Sequence, residues 1–442
     1  MLVNKIDSVF SEDFINEQGR ASKFIQRGSK MSALKFLDLM FYNSMHNQCL
    51  SLNQLSVEAE SGCDVNISRQ GLDQRMNENA IGFLSLLLQK QLMDQISQSL
   101  EVGLMKKFNR VRVKDSTKFD IHEQLREWLP GFGGSASAAS ACIQYEFDLK
   151  SGRWIDLALT PGNVPDSKDA QAKSGDIQKG DLIIRDLGYF ALEVLSEVQK
   201  NEAYFLSRLN VKTIVYEQVG EVLIELDFGK LYQFMSQNGI ARMEKNVLMG
   251  KDDKLSTRLV IELMPDQVYE QRVRKVKAHN HKKGYKTSTG FLNRSRFNLF
   301  VTNAGEDMLS ATSIPLFYKV RWQIELIFKI WKSTYGIQAT RKMKFERFLC
   351  QLFSKLLLIM INWEIVLSYR NGIYRNKGRL LSIDKCFKTL KSNADKFRDI
   401  INKPDCTVEQ LIQWIGKTFE SKHWLEKRKN KTCYEEIINI SY

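Results

Sequence analysis

Three acidic residues sit where ordinary surface charge explains them poorly. Asp115 ends the alternating stretch FNRVRVKDST (108–117), and Asp186 ends the apolar strand in LIIRDLGY. Glu325 lies inside YKVRWQIELIFKIWK (318–332), whose aromatic and aliphatic residues recur at helical steps. Alone, each acid reads as a turn or capping carboxylate. Together, two strand-end aspartates and one helical glutamate supply the oxygen ligands that hold two Mg²⁺ ions about 4 Å apart, with Mn²⁺ as a substitute. Such ions keep some waters and draw further ligands from the phosphate being cut. Arg321, Glu325 and Lys332 share one flank of the predicted helix, beside the apolar stripe. A metal compensates Glu325 there, while the two bases face the same polyanion.

The rest of the chain offers little competing chemistry. GFGGSAS (131–137) lacks the G-K-[ST] ending of a phosphate loop and reads as a flexible turn. Ser135 within it has no His/Asp arrangement that would make it a nucleophile. His279-Asn280-His281 has no neighbouring Cys or acid and reads as a solvated basic loop rather than a metal pair. A pair of acids also serves glycosidases, but a basic surface with attendant Arg and Lys argues against a sugar substrate.

The elements that must position the acids follow from the local patterns. The first hundred residues read as helical. In 50–92 the order is helix, turn, helix, helix, with Ser51 capping NQLSVEAE, Gly62 breaking it and Ser68 capping RQGLDQRM. That is the layout of a helix-turn-helix, with Arg69, Gln70, Gln74 and Arg75 as its DNA readers. From Phe108 the period changes to that of strands. ACIQYEFDLKSGRWIDLALT reads as two strands turning at Lys150-Ser151-Gly152, followed in DLIIRDLGYF (181–190) by a short apolar strand that stops at Asp186 and Gly188, then the helix ALEVLSEVQK and the strand AYFLSRL. Residues 211–296 read as a β-rich insertion ending in nine Lys or Arg and no acid over 271–296, a run suited to phosphate contact. FNLFVTN (297–303) returns to strand; the helix at 318–332, a long apolar helix (345–368) and a charged helical tail follow.

Bulk composition narrows the partners. Lys plus Arg is 65 against 51 for Asp plus Glu, a net charge of +14. That field attracts polyanions, either nucleic acid or an anionic membrane. The most apolar run, LLLIMINWEIVL from Leu356, is short of the roughly 20 residues of a spanning helix and contains Asn362 and Glu364. The N-terminus shows no secretion signal, and the seven cysteines are dispersed without a C-x-x-C pair. The expectation is a cytoplasmic protein with reduced thiols, of two or three domains.

Tyr318, Arg321, Glu325 and Lys332 fit Y-x2-R-x3-E-x6-K, and in this the chain resembles the DDE transposases of bacterial insertion sequences, in the group called insertion-sequence family four. Arg208 in YFLSR, GFGGSAS, LALTPG before Asp166 and D-x-G-Y at 186–189 also resemble that family's blocks, so the likeness spans about 30–370. The resemblance implies an α/β fold: a ribonuclease H-like catalytic domain carrying a β-rich insertion. An α-helical DNA-binding domain precedes it and a helical C-terminal region follows. The corresponding division is 1–105, 106–210, 211–296, 297–370 and 371–442. It further implies that Asp115, Asp186 and Glu325 bind two divalent metals, and that Tyr318, Arg321 and Lys332 contact phosphates near the transposon end. Some relatives hold a flipped base on an aromatic of the insertion; Phe297, Tyr285 and Phe291 lie near its expected place. Double-stranded DNA, both element ends and target, is the implied partner, with a homodimer assembled on it. Three readings stay open: an active transposase, a metal-dependent nuclease without strand transfer, and an inactive DNA-binding descendant. The intact acids weigh against the last, because without metal they repel DNA.

Overall fold

The computed structural model describes residues 1–96, 99–252, 254–402, 407–426 and 434–439. Six helices open the chain: α1 (Leu2–Phe10), α2 (Glu12–Ala21), α3 (Ala33–Met45), α4 (Leu52–Cys63), α5 (Arg69–Arg75) and α6 (Glu78–Met93). Polar caps set five of the starts. The side chains of Ser11, Ser32, Ser51, Ser68 and Asn77 each accept a bond from a first-turn amide, and Gln54 completes a capping box with Ser51. Gly62 does not break α4. The helix runs on to Cys63 and stops at Asp64, whose φ of 50° places it in the left-handed region.

Strands and helices then alternate: β1 (Val111–Asp120), β2 (Ser140–Asp148), β3 (Trp154–Pro161), α7 (Asp166–Ala172), β4 (Leu182–Arg185), α8 (Leu192–Lys200) and β5 (Tyr204–Arg208). β2 and β3 turn through Gly152, whose φ of +72° suits glycine and whose carbonyl accepts the Trp363 indole N–H at 2.7 Å. Next come β6 (Val215–Val219), β7 (Val222–Glu225), α9 (Phe228–Gln237), β8 (Arg242–Met249), β9 (Leu255–Leu263), α10 (Asp266–Lys282), α11 (Thr289–Arg294) and β10 (Phe297–Thr302). The segment 211–296 thus carries three helices as well as its strands. His279 and His281, expected in a loop, lie exposed on α10, which has no buried residue. An uninterrupted run without Pro or Gly over 266–283 lets a helix form there despite its charge.

The ten strands of the described residues form one sheet in the order β3-β2-β1-β4-β5-β10-β9-β8-β6-β7. β4 is parallel to both β1 and β5, and the other pairings are antiparallel. The chain then continues through α12 (Ile314–Phe317), a 3₁₀ turn (Tyr318–Arg321), α13 (Trp322–Ser333), α14 (Phe345–Lys377), α15 (Ile383–Ser392), α16 (Asp395–Asn402), α17 (Val408–Lys422) and α18 (Tyr434–Ile438). The helix predicted over 318–332 therefore begins as a 3₁₀ turn and becomes α-helical only at Trp322.

The sheet separates two apolar cores. Val113, Ile184, Leu206 and Phe300 face a large core shared with α3, α6, α13 and α14, while Ile183, Phe205, Ile261 and Val301 face a smaller one with α8 and α9. α13 is fixed by aromatic packing. Trp331 is fully buried, with its ring centroid 5.0 Å from that of Tyr145 and 5.5 Å from those of Trp154 and Phe328. α14 is longer than its apolar run suggested, and by length and composition it could cross a membrane; 89% of its most apolar window is buried inside the protein. Cys49, Cys63, Cys142, Cys350 and Cys386 are buried and free, and Cys406 and Cys433 lie outside the described residues.

Candidate active site

The last registered pair between parallel β1 and β4 is Lys114 opposite Arg185. One step further along each chain stand Asp115 and Asp186, so the parallel register sets the two aspartates side by side. Asp115 does not end its strand as expected. β1 runs on to Asp120, carried by antiparallel pairing with β2 in which Asp115 lies opposite Tyr145. What ends beside Asp115 is its parallel neighbour: β4 stops at Arg185, and Asp186 leads into a 3₁₀ turn, Leu187–Tyr189. Glu325 joins them from the first turn of α13, which packs on β1.

Arg321 stands among the three acids. Its Nη1 donates to Asp115 Oδ2 at 2.9 Å, its Nη2 donates to Glu325 Oε1 at 2.8 Å, and its Nε is 3.8 Å from Asp186 Oδ1. That Nε is buried and makes no hydrogen bond. Burial works against the Arg321 charge, and the carboxylates of Asp186, Asp115 and Glu325 overcome it, raising its pKa. Asp115 is pushed up to about 6, chiefly by burial; the Ser116 N–H and Arg321 pull it down, and Asp186 and Glu325 push it further up. Among the described residues no three His, Cys, Asp or Glu side chains are grouped as a metal ion requires. The donor chemistry nevertheless suits hard divalent cations, since the three carboxylates already converge on one positive centre and offer only oxygen. The guanidinium takes up the middle of that set.

The remaining residues of the signature divide by role. Tyr318, expected at a phosphate, is buried, and its hydroxyl donates to the Arg185 carbonyl at 3.2 Å. It therefore holds the end of β4 immediately before Asp186. Burial raises its pKa to about 12, so it remains a donor. Lys332 Nζ donates to the Lys118 carbonyl at 3.0 Å, tying the far end of α13 to the outer half of β1. Arg208 ends β5, close enough for its charge to act on Tyr318 and Arg272.

Beneath the acids lies a layer that the strand pattern concealed. The alternation of Val111 and Val113 with Arg112 and Lys114 predicts one apolar and one polar face, yet both faces are buried. Arg112 and Lys114 are 1% and 0% exposed. Lys114 Nζ reaches Asp169 at 2.5 Å and Asp156 at 3.0 Å, and Arg112 Nε donates to Glu146 at 3.0 Å. Burial pushes Glu146 up, but Arg185, Arg112 and Lys114 outweigh it and hold its carboxyl at about 2. Arg185 is thus held from both sides, its side chain near Glu146 and its carbonyl by Tyr318. A signal was available: Gln144 and Glu146 recur at the same period on β2, opposite Ser116 and Lys114.

The expected DNA readers are not all free to read. Arg69, Gln70 and Gln74 are exposed on α5. Arg75 turns inward; its guanidinium lies 4.2 Å from the Phe24 ring centroid and donates to the Met31 carbonyl at 3.3 Å. Its job here is to pin α5 to the bundle. Among the candidate base-holding aromatics, Phe297 is only 2% exposed and packs against Phe228 and Tyr232, so it cannot hold a base. Tyr285 is exposed and Phe291, on α11, is half-buried.

Comparison with known proteins gives a consistent likeness. The sequence profile of the family described as Transposase DDE domain matches residues 106–362. The transposase for insertion sequence element IS231B of Bacillus thuringiensis subsp. berliner is 27% identical over 97% of this chain and 93% of its own length. The transposase for insertion sequence element IS1151 of Clostridium perfringens is 27% identical over 98% of this chain and 95% of its own. Among solved structures, a piggyBac transposase synaptic complex with hairpin DNA superposes with a TM-score of 0.46 at 11% identity, covering 97% of this chain and 85% of that one.

Proposed function

The chain belongs to the transposase DDE-domain family and is a DDE transposase of an insertion sequence, and from that premise we propose how it acts. It binds the ends of its element, cleaves the DNA by two-metal phosphodiester hydrolysis and joins the 3′-hydroxyl ends to target DNA, a cut-and-paste reaction. The observation that carries this reading is the convergence of Asp115, Asp186 and Glu325 from three separate elements onto one cationic centre. Those three would hold two Mg²⁺ ions, with Mn²⁺ as a substitute, which when bound activate the attacking water or hydroxyl and stabilise the leaving oxygen.

The chain's own residues orient and neutralise. Arg321 offers a planar fork suited to a phosphate, and Lys332 a point charge two helical turns beyond Glu325. Tyr318 fixes the backbone ahead of Asp186. Strands β1 to β5, in the order β3-β2-β1-β4-β5, support a ribonuclease H-like core for 106–210 and 297–370, with 211–296 as its insertion. Residues 1–105 form the DNA-binding region in this reading, with Arg69 and Gln70 as readers, and 371–442 the C-terminal region. The partner is double-stranded DNA, held by a homodimer in the bacterial cytoplasm.

The test is an in vitro reaction with a labelled duplex bearing the element's end, a target plasmid and Mg²⁺, comparing wild type with Glu325→Gln. Joined products from wild type alone are expected. Cleavage without joining would replace this reading with a metal-dependent nuclease. Binding without chemistry from either protein, in Mg²⁺ or Mn²⁺, would replace it with an inactive DNA-binding descendant.

A further inference from the structure

We propose that Arg321 fills the metal site of the DNA-free protein and must be drawn off by a DNA phosphate before divalent cations load, so that metal binding follows DNA binding. The inference rests on the metal-dependent reading above and adds an order of events to it.

The geometry of one side chain carries it. A guanidinium has three nitrogens, and each of the three faces a different member of the acid set, at 2.9, 2.8 and 3.8 Å. Arg321 is also the most enclosed of the four, its side chain 11% exposed against 19%, 46% and 37% for Asp115, Asp186 and Glu325. A cation arriving from solvent therefore meets Asp115 and Glu325 with one oxygen each already bonded to Arg321, and Asp186 with an oxygen 3.8 Å from its Nε. Asp115 shows this most clearly. Its Oδ1 accepts the Ser116 N–H at 2.8 Å and its Oδ2 accepts Arg321. The Ser116 bond is local to the strand, which leaves the Arg321 bond as the one to exchange.

Arg321 and a metal ion are like charges competing for the same oxygens, and they cannot both sit among them without strong repulsion. The present position of Arg321 is good in charge but incomplete in bonding, since its buried Nε has no acceptor. A phosphate supplies what is missing, because its oxygens match the planar fork. The release needs no helix movement. Arg321 ends the 3₁₀ turn before α13, and rotation about its side-chain bonds carries the guanidinium away while Trp331 keeps the helix packed.

The experiment uses the full chain and reads metal binding rather than turnover. Mn²⁺ affinity is measured by electron paramagnetic resonance on DNA-free wild type, Arg321→Gln and Arg321→Lys. Metal position is read from Fe²⁺-driven hydroxyl-radical cleavage of the polypeptide. Arg321→Gln should bind Mn²⁺ at least about ten-fold more tightly than wild type, the scale of removing one adjacent like charge. It should also gain backbone cuts near 115, 186 and 325, with Arg321→Lys intermediate. In wild type the same cuts should appear only when an element-end duplex is added, and Glu325→Gln with the same duplex should lose them. Should Arg321→Gln not fold, the wild-type comparison with and without duplex decides alone. Equal Mn²⁺ affinity and equal cuts in wild type and Arg321→Gln, or cuts in wild type that ignore the duplex, overturn the gate and leave the metal-dependent reading standing. No site-specific cuts in any protein, with or without duplex, overturn both.

Discussion

At the scale of single residues, the chemistry rests on side chains whose neighbours fix their charge. Asp115→Asn, Asp186→Asn and Glu325→Gln each keep shape and remove a charge. Each should lower cleavage by at least about 10²-fold, the scale of losing one electrostatic partner in a transition state, while gel-shift affinity for the element's end stays near wild type. A fourth acid makes a different kind of prediction. Glu364 on α14 is 4% exposed, accepts one bond from Gln91 at 2.7 Å, and is raised by burial to about 7 from its ordinary 4.5. The folded state therefore binds its proton more tightly than the unfolded chain, so stability is lost as pH rises from about 4.5 to 7 and is flat above. Glu364→Gln should be more stable than wild type by about 3 kcal/mol at pH 8 and equal to it near pH 4, as read by denaturant unfolding at both pH values. The signature tetrad was legible in the sequence, but its division of labour was not. Tyr318 and Arg321 face inward because a carbonyl and three carboxylates are closer to them than solvent is.

At the scale of elements, the site depends on α13 keeping its height against β1 and β2. Trp331 provides that through Tyr145, Trp154 and Phe328, and Lys332 adds a bond to β1. Trp331→Ala should cost about 3–5 kcal/mol of stability, measured by chemical denaturation, because a large fully buried ring leaves a cavity. Any cleavage it retains should fall further than its folded fraction does, since Glu325 rides on the same helix and Arg321 immediately precedes it. The helix itself could be read from its apolar spacing. Its 3₁₀ start could not, since no residue type in 318–321 sets the turn apart from the helix that follows.

At the scale of the whole molecule, the +14 charge is unevenly exposed. Arg112, Lys114 and Arg185 are consumed inside the sheet, whereas α10 has no buried residue and leaves Arg274, Lys275 and Lys277 exposed. Neutralising Arg274, Lys275 and Lys277 to Gln should flatten the dependence of log binding constant on log salt by about three units if all three meet phosphate, with little effect on stability. An unchanged slope from fluorescence anisotropy would place the DNA elsewhere.

The sequence by itself determined the order of the acids, the strand and helix types around them, the caps of α4 and α5 and the basic excess, because each is written in local spacing and side-chain chemistry. Tertiary structure decided the rest. Asp115 meets Asp186 only through a parallel register between β1 and β4, a pairing of chain segments some seventy residues apart that leaves no local mark. The polar face of β1 proved to be a buried ion layer because β2, β3 and α7 bring acids to it. Arg321 found its partners for the same reason: three carboxylates from distant segments meet at one place, and the nearest cation settles among them.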